Sequence, residues 1–424
     1  MGIFLLFIWL IMFAFSFFKD TDIFSPSKIY LIILFTFFGG IFWDSYSLKI
    51  NILVLLLILF GYVVILFEHK VKVRFITYYI SKKQKGLITF KIWLLTLIPL
   101  FAQYQLTSKL GGFSHFISSI GGRVVEWEGM GPIILLTKLM NILNYIYFIF
   151  LVKFNVRGKK NITLYILHLI VFILIALLSG SRSNLLWNFV FMLIFYNYTV
   201  KKVSIKQAFV GFLLILSIAM IVGISREGYK IENGKLKSGL NNSEVSINFS
   251  KFSNFQYGLQ PLEKTIDQTN LFELEYGLTY LTAVTNLIPR KIWPNKPESG
   301  GVIITKKHFG DPFGGFSNYT TGLIPEAIIN FGILGGVLIA PLILGVLIMF
   351  LLNYQKKLKY LMVRNSSFKK NILILGVYPF LLIGINSYTY AEFTTNTISM
   401  MVYKVLLFVI CLNFIFSKVF YKKN

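Results

Sequence analysis

Cationic side chains gather just beyond the ends of several apolar segments: Arg182 in Ser179-Gly180-Ser181-Arg182-Ser183, Arg226 in Ser225-Arg226-Glu227, and Arg290 with Lys291 and Lys296 in Ile288-Pro289-Arg290-Lys291-Ile292-Trp293-Pro294-Asn295-Lys296-Pro297. Arg123, in Gly121-Gly122-Arg123-Val124, is a weaker member of the same set. A guanidinium offers a planar fork of donors that matches phosphate oxygens, so these residues suit a diphosphate-bearing ligand. Taken singly, each would also serve as an interfacial arginine snorkelling to lipid headgroups, but that use gives no reason for them to share one face.

Carboxylates supply the complementary chemistry. Glu326, in Gly322-Leu323-Ile324-Pro325-Glu326-Ala327, and Glu392, in Tyr390-Ala391-Glu392-Phe393, each sit at the edge of an apolar run, where a partly buried carboxylate makes a usable general base. The bland reading of Glu326 is an acid favoured by a helix N-terminus beside Pro325, and that of Glu392 an exposed loop acid. His308 follows Lys306-Lys307, a run that reads as solvated surface, and His168 falls inside an apolar run as a packed polar group. Asp20-Thr21-Asp22 has the form of a metal and nucleotide-sugar motif but occupies a short turn with no fold around it. Phosphate-binding glycine loops and metal-ligand spacings are missing from the sequence, and the single Cys411 excludes an intrachain disulfide.

These residues need a frame, and composition says what it is. Of 424 residues 56% are apolar and 17% aromatic, with a mean hydropathy of +0.70, too hydrophobic for an ordinary soluble domain. The net charge of +25 comes from short Lys and Arg clusters between apolar runs and forms no continuous basic face, which argues against a nucleic-acid partner. Crossing a bilayer takes roughly 20 apolar residues, and about eleven segments qualify. They span 2–18, 28–43, 50–67, 87–106, 132–152, 162–178, 184–200, 208–224, 323–352, 372–388 and 397–417. The first lacks a basic leader and a small-residue cleavage site, so it is expected to be retained.

Orientation follows from the positive-inside rule. Alternate loops are strongly basic, among them those with Lys70 to Lys85, Lys153 to Lys160, Lys201 to Lys206, and Lys356 to Lys370. With those cytoplasmic, the N-terminus lies outside, the C-terminus inside, and all but three of the 17 Asp and Glu residues fall on the outer side. The expected fold is all-α integral membrane. Helices in 1–224 and 323–424 would flank one large outer (periplasmic or extracellular) loop, 225–322, all within one integrated membrane domain. Apolar spacing from Asn248 to Leu287 predicts amphipathic helices lying on the membrane, with Pro261 as a break, and the three prolines from Pro289 to Pro297 predict a fixed extended turn.

The Ser-Gly-Ser-Arg turn at Arg182, the Pro-Arg-x-x-Trp-Pro-x-Lys-Pro run and Glu326-Ala327-Ile328-Ile329-Asn330-Phe331-Gly332 together resemble the Wzy-type O-antigen polymerases, the oligosaccharide repeat unit polymerases. The helix number and the large outer loop agree, so the resemblance spans most of the chain. It implies a GT-C-like, metal-independent glycosyltransferase of the bacterial inner membrane, working on its outer face without a cofactor. Such an enzyme moves a growing glycan from undecaprenyl diphosphate onto a lipid-linked repeat unit, in contact with membrane lipids and in some systems with a chain-length regulator. In that scheme Arg182, Arg226, Arg290, Lys296 and Arg123 would hold the leaving diphosphate, with Arg290 also counted as catalytic, and Glu326, ahead of Glu392, would take the acceptor proton.

Two rivals remain open at this level. An O-antigen ligase would use a histidine of the outer loop, which keeps His308 in contention. A flippase or other transporter would show repeated halves and polar residues at mid-membrane, whereas intramembrane ionisable residues here are chiefly Lys138, His168 and Lys404 and the halves are unlike.

Overall fold

The computed structural model describes residues 1–71, 78–120, 123–127, 129–154, 156, 158–179, 182–211, 213, 217, 229–232, 235–238, 257–268, 273–288, 292–311, 321–363 and 368–420. Eight helices among them are long and apolar enough to cross a membrane: α1 (Gly2–Lys19), α3 (Leu48–Phe67), α4 (Lys82–Lys109), α6 (Gly131–Lys153), α7 (Lys159–Leu178), α11 (Leu323–Tyr360), α12 (Lys369–Thr389) and α13 (Phe393–Ser417). Two further apolar helices, α2 (Pro26–Phe38) and α8 (Arg182–Thr199), are shorter. The chain is therefore a helical membrane protein. Of the expected segments, 28–43 and 184–200 form the short helices, and 208–224 lies largely outside the described residues.

Local chemistry sets the helix ends. Ser47 caps α3 by accepting from the Ile50 amide, and Ser81 with Gln84 forms a reciprocal capping box at α4. Pro26 opens α2, where a missing N–H costs nothing. In α11, Gly332 at φ +72° and ψ −171° interrupts the helix, a conformation that only glycine adopts readily, so the long ninth apolar segment is a broken helix.

The chain divides into two compact units. The first comprises Met1–Val71, Ile247–Tyr360 and Phe380–Val402. Its lower end is marked by Lys28, fully buried, donating to the carbonyls of Ser16 and Asp20, by Glu68 accepting from the Ser27 amide, and by the His69 amide donating to Gln355. Asp20 and Asp22 belong to this same end, where their carboxylates accept from the Asp22 and Phe24 amides and so serve as turn caps. The basic residues Lys356, Lys357 and Lys359 follow directly from Gln355.

At the opposite end the Gly258 amide donates to Phe37, Phe37 stacks on Tyr390, and Gly322 presses against the Thr389 carbonyl. The loop helices α9 (Leu259–Asp267) and α10 (Leu278–Thr285) lie there. Pro261 was expected to break the helix; it sits in the first turn of α9, where proline is tolerated.

The second unit comprises Lys72–Ser246, Leu361–Pro379 and Tyr403–Asn424. Aromatic packing joins α6, α8 and α13 through Tyr145, Phe191, Phe195 and Phe408. His168 on α7 is buried between Thr96 at 3.0 Å and Asn144 at 3.1 Å, the hydrogen-bonded core histidine that its position implied. The unit also holds a short helix α5 (Phe113–Ser119) and a hairpin of β1 (Tyr229–Glu232) and β2 (Lys235–Ser238) inside the large loop, where only helices were expected.

Candidate functional site

Apart from Asp20, Asp22 and Glu68, which lie at the end with the basic loops, the first unit gathers its buried acids Glu275, Glu326 and Glu392 at the opposite end. Glu326 lies in the first turn of α11 with no exposed surface. Its Oε1 accepts from Thr279 Oγ1 on α10 at 2.8 Å, and its Oε2 accepts from the Phe393 amide at the start of α13 at 2.8 Å. One helix turn later, Asn330 Nδ2 donates to Thr279 Oγ1 at 2.7 Å while its Oδ1 accepts from the Gly277 amide at 2.8 Å. The i, i+4 spacing puts Glu326 and Asn330 on one helical face, and both close on the same threonine. Phe331 lies against Gly277 and stacks on Tyr280 before Gly332 ends the helical run. The Glu-x-x-x-Asn-Phe-Gly motif is thus the seat on which the loop helix α10 docks.

A threonine layer extends this seat. Thr282 Oγ1 donates to the Thr279 carbonyl at 2.6 Å, meets Thr394 Oγ1 at 2.9 Å and accepts from the Gly300 amide at 2.8 Å. Gly300 fits because a side chain there would strike the Thr279 carbonyl. Glu392 is buried and caps α13 through the Thr395 amide at 2.9 Å. Its burial pushes the carboxyl above the usual range, against the pull of the Thr395 and Gly301 donors. As a loop acid Glu392 was expected to be exposed; it is buried and serves as an N-cap within the seat.

His308 departs from its expected surface setting. The segment Gly300–Ile303 runs into a wide helical turn, Ile304–His308, which turns Lys306 and Lys307 outward and His308 inward, to 4% exposure. Its Nε2 lies 3.1 Å from Glu275 Oε1, and Glu275 also receives the ammonium of Lys307, whose side chain is 61% exposed. Burial pulls the imidazole below the usual histidine value, and Glu275 opposes that pull without overcoming it. The Glu275 and Tyr276 amides donate to the Ile329 and Asn330 carbonyls, so the pair is strapped to the same turn of α11 that carries Asn330. Thr279, Asn330 and Glu275 were missed as site residues. The one available signal was the i, i+4 spacing of Glu326 and Asn330.

Among the cations, Lys296 donates to the carbonyls of Thr285, Asn286 and Ile288 at 3.4, 3.2 and 2.7 Å. This caps the C-terminus of α10 and folds the proline-rich turn back on it, a structural use of a residue expected to bind diphosphate. Arg290 and Arg226 lie outside the described residues, as does the side chain of Arg182, which opens α8. In the second unit Arg123 donates to the Ser179 carbonyl at 3.1 Å, bringing it to the turn that leads into Arg182.

Beside the seat lies a narrow apolar crevice of about 20 Å³ between α3 and α11, walled by Leu53, Leu57, Phe60, Leu323, Ile324 and Leu344. No group of acidic, histidine or cysteine side chains able to hold a metal ion occurs among the described residues. No family model, curated protein or solved structure matches the chain.

Proposed function

We propose that the chain is a polysaccharide polymerase of the bacterial inner membrane, transferring a growing glycan from undecaprenyl diphosphate to a lipid-linked repeat unit at the outer face. The observation that carries this reading is the convergence, at the end of the first unit away from its basic loops, of the Glu326 seat, the Glu275–His308 pair and the cation-bearing proline-rich turn. By the positive-inside rule that end is the outer one.

In the reaction the acceptor hydroxyl attacks the anomeric carbon of the donor glycan. The new glycosidic bond forms as the bond to diphosphate oxygen breaks, and undecaprenyl diphosphate leaves. Arg290, with Arg182, Arg226 and Arg123, would offset the charge that develops on the leaving group. Glu326 has both oxygens engaged and no surface, so its part is to position α10 and the turn behind it. The acceptor proton goes to His308. With its Nε2–H donated to Glu275, the basic lone pair of the neutral ring is on Nδ1, which is buried in this structure and has to be uncovered by a local opening of the turn before it can meet an acceptor hydroxyl.

A buried loop histidine paired with a carboxylate also suits an O-antigen ligase, which hands a finished glycan to the lipid A core. The glycan profile of a strain deleted for the gene separates the readings. Loss of a polymerase leaves a single repeat unit on the core, whereas loss of a ligase leaves the core bare. Complementation with the native gene should restore long chains, and Arg290→Ala should not, although the protein remains in the membrane. A bare core in the deletion strain, or full-length chains with Arg290→Ala, would overturn the corresponding claim.

A further inference from the structure

Two lysines inside the apolar helices of the second unit have no use in the site described above. Lys404 lies 11 residues into α13, about 16 Å from its start at 1.5 Å per residue, with a similar length of helix beyond it. That is deeper than a lysine stem can snorkel from either membrane surface. Its ammonium sits 5.7 Å from the centre of the Phe191 ring on α8. Phe191 leans on Tyr145 of α6, and Tyr145 packs on Phe408, one turn beyond Lys404 on α13. Lys138 lies two turns before Tyr145 on α6, which brings it to within about one turn of the level of Lys404.

The two ammoniums are close enough to repel one another, and Lys138 is in the same relation to Arg123. Lys138 is exposed and Lys404 partly exposed, so neither is fully enclosed by protein. Neither has an ion pair or hydrogen bond among the described residues. Arg123 stands at the Ser179 turn, above them on the side where α6 and α8 begin.

Gathering like charges in a low-dielectric setting without a carboxylate is unfavourable unless an anion joins them. A lysine ammonium is a good point charge for phosphate oxygens, and Trp187 stacks on Phe191, the ring that Lys404 faces. We propose that Lys138 and Lys404, with Arg123 at the mouth, form an intramembrane binding site for the phosphoryl headgroup of a lipid-borne diphosphate entering between α6, α8 and α13. The identity of that lipid as an isoprenoid diphosphate rests on the polymerase reading; the anion site itself rests on the lysines.

The test is binding of undecaprenyl diphosphate to the full-length chain in nanodiscs, measured by native mass spectrometry for the wild type, Lys138→Met, Lys404→Met and Lys404→Arg. Each methionine variant should weaken binding at least tenfold, Lys404→Arg should keep most of it, and neutral undecaprenol should bind all four alike. If Lys404→Met does not fold, the exposed position of Lys138 leaves Lys138→Met to carry the measurement. Phosphatidylglycerol and inorganic pyrophosphate serve as competitors. Weak competition by both assigns the site to the isoprenoid diphosphate, and lysine-dependent competition by either keeps the anion site while changing its source. Undiminished binding in both methionine variants, or no binding by the wild type, would overturn the site. Glycan polymerisation by the same samples is scored separately: lysine-dependent binding without polymerisation refutes the polymerase reading alone, and polymerisation with lysine-independent binding refutes the site alone.

Discussion

Thr279 Oγ1 donates to Glu326 Oε1 at 2.8 Å and accepts from Asn330 Nδ2 at 2.7 Å, so one hydroxyl joins the loop helix α10 to both Glu326 and Asn330 in the part of α11 before its break. Thr279→Val keeps the shape and removes the hydroxyl, leaving a buried carboxylate oxygen and a buried amide without their partner. The expected loss is about 1–3 kcal/mol, read as a lower thermal midpoint of the detergent-solubilised protein. Thr279→Ser should restore most of it. Equal midpoints for Thr279→Val and the wild type would show that the loop helix is not anchored through this residue.

His308 gives the site a pH dependence whose sign is fixed. Its native value lies below the 6.5 of a free imidazole, so near pH 6 the unfolded chain binds more protons than the folded one. The stability that follows from the neutral ring is fully present above pH 6.5 and declines as the pH drops through the window beneath it. His308→Gln should flatten that decline. It should also cost about 10²–10⁴-fold in transfer rate, the usual worth of a general base. A rate within a few-fold of wild type would remove His308 from proton transfer and leave it a packing residue.

Gly332 separates backbone strain from crowding. A methyl group there would meet nothing within 4 Å, yet φ is +72°, so Gly332→Ala should destabilise by roughly 1–3 kcal/mol through strain alone. Gly86, inside α4 and equally uncrowded, is the control: Gly86→Ala should stabilise by about 0.5–1 kcal/mol. Denaturation midpoints that shift in the same direction for both would contradict the broken-helix account of α11.

Sidedness can be read by cysteine labelling in a Cys411→Ser background. Glu298→Cys, in the half-exposed stretch after the proline-rich turn, should react with a membrane-impermeant maleimide in intact spheroplasts. Lys357→Cys, exposed at the opposite end of the same unit, should react only after lysis. The reverse pattern would place the acid-bearing end in the cytosol and contradict the proposed outer-face reaction.

The sequence conveyed the frame better than the chemistry. Apolar length located α1, α3, α4, α6, α7, α11, α12 and α13 to within about five residues at each end, except that α11 runs eight residues past its expected end. Crossing a bilayer leaves little freedom in the apolar length, but none of that constraint applies to the polar turns that extend a helix. Glu326 and Asn330 were legible as a motif but not as a seat, since their shared partner Thr279 is 51 residues away from Asn330 and an unremarkable threonine in sequence. His308 was misjudged because its lysine neighbours look solvated; they are, and the wide turn at Ile304–His308 sends the next side chain the other way. Lys296 was grouped with the phosphate binders by charge, whereas its place two residues after Pro294 lets it fold back onto the carbonyl end of α10. Pro261 was given the wrong weight for a similar reason: proline breaks a helix only beyond its first turn.

Reconstitution tests the central claim most directly. Purified protein in liposomes, supplied with undecaprenyl diphosphate-linked repeat unit, a chelator and no nucleotide sugar, should yield a ladder of glycans longer than one unit, and His308→Gln should suppress it. A product that never exceeds a single repeat, or a ladder that forms only when nucleotide sugar is added, would contradict the account.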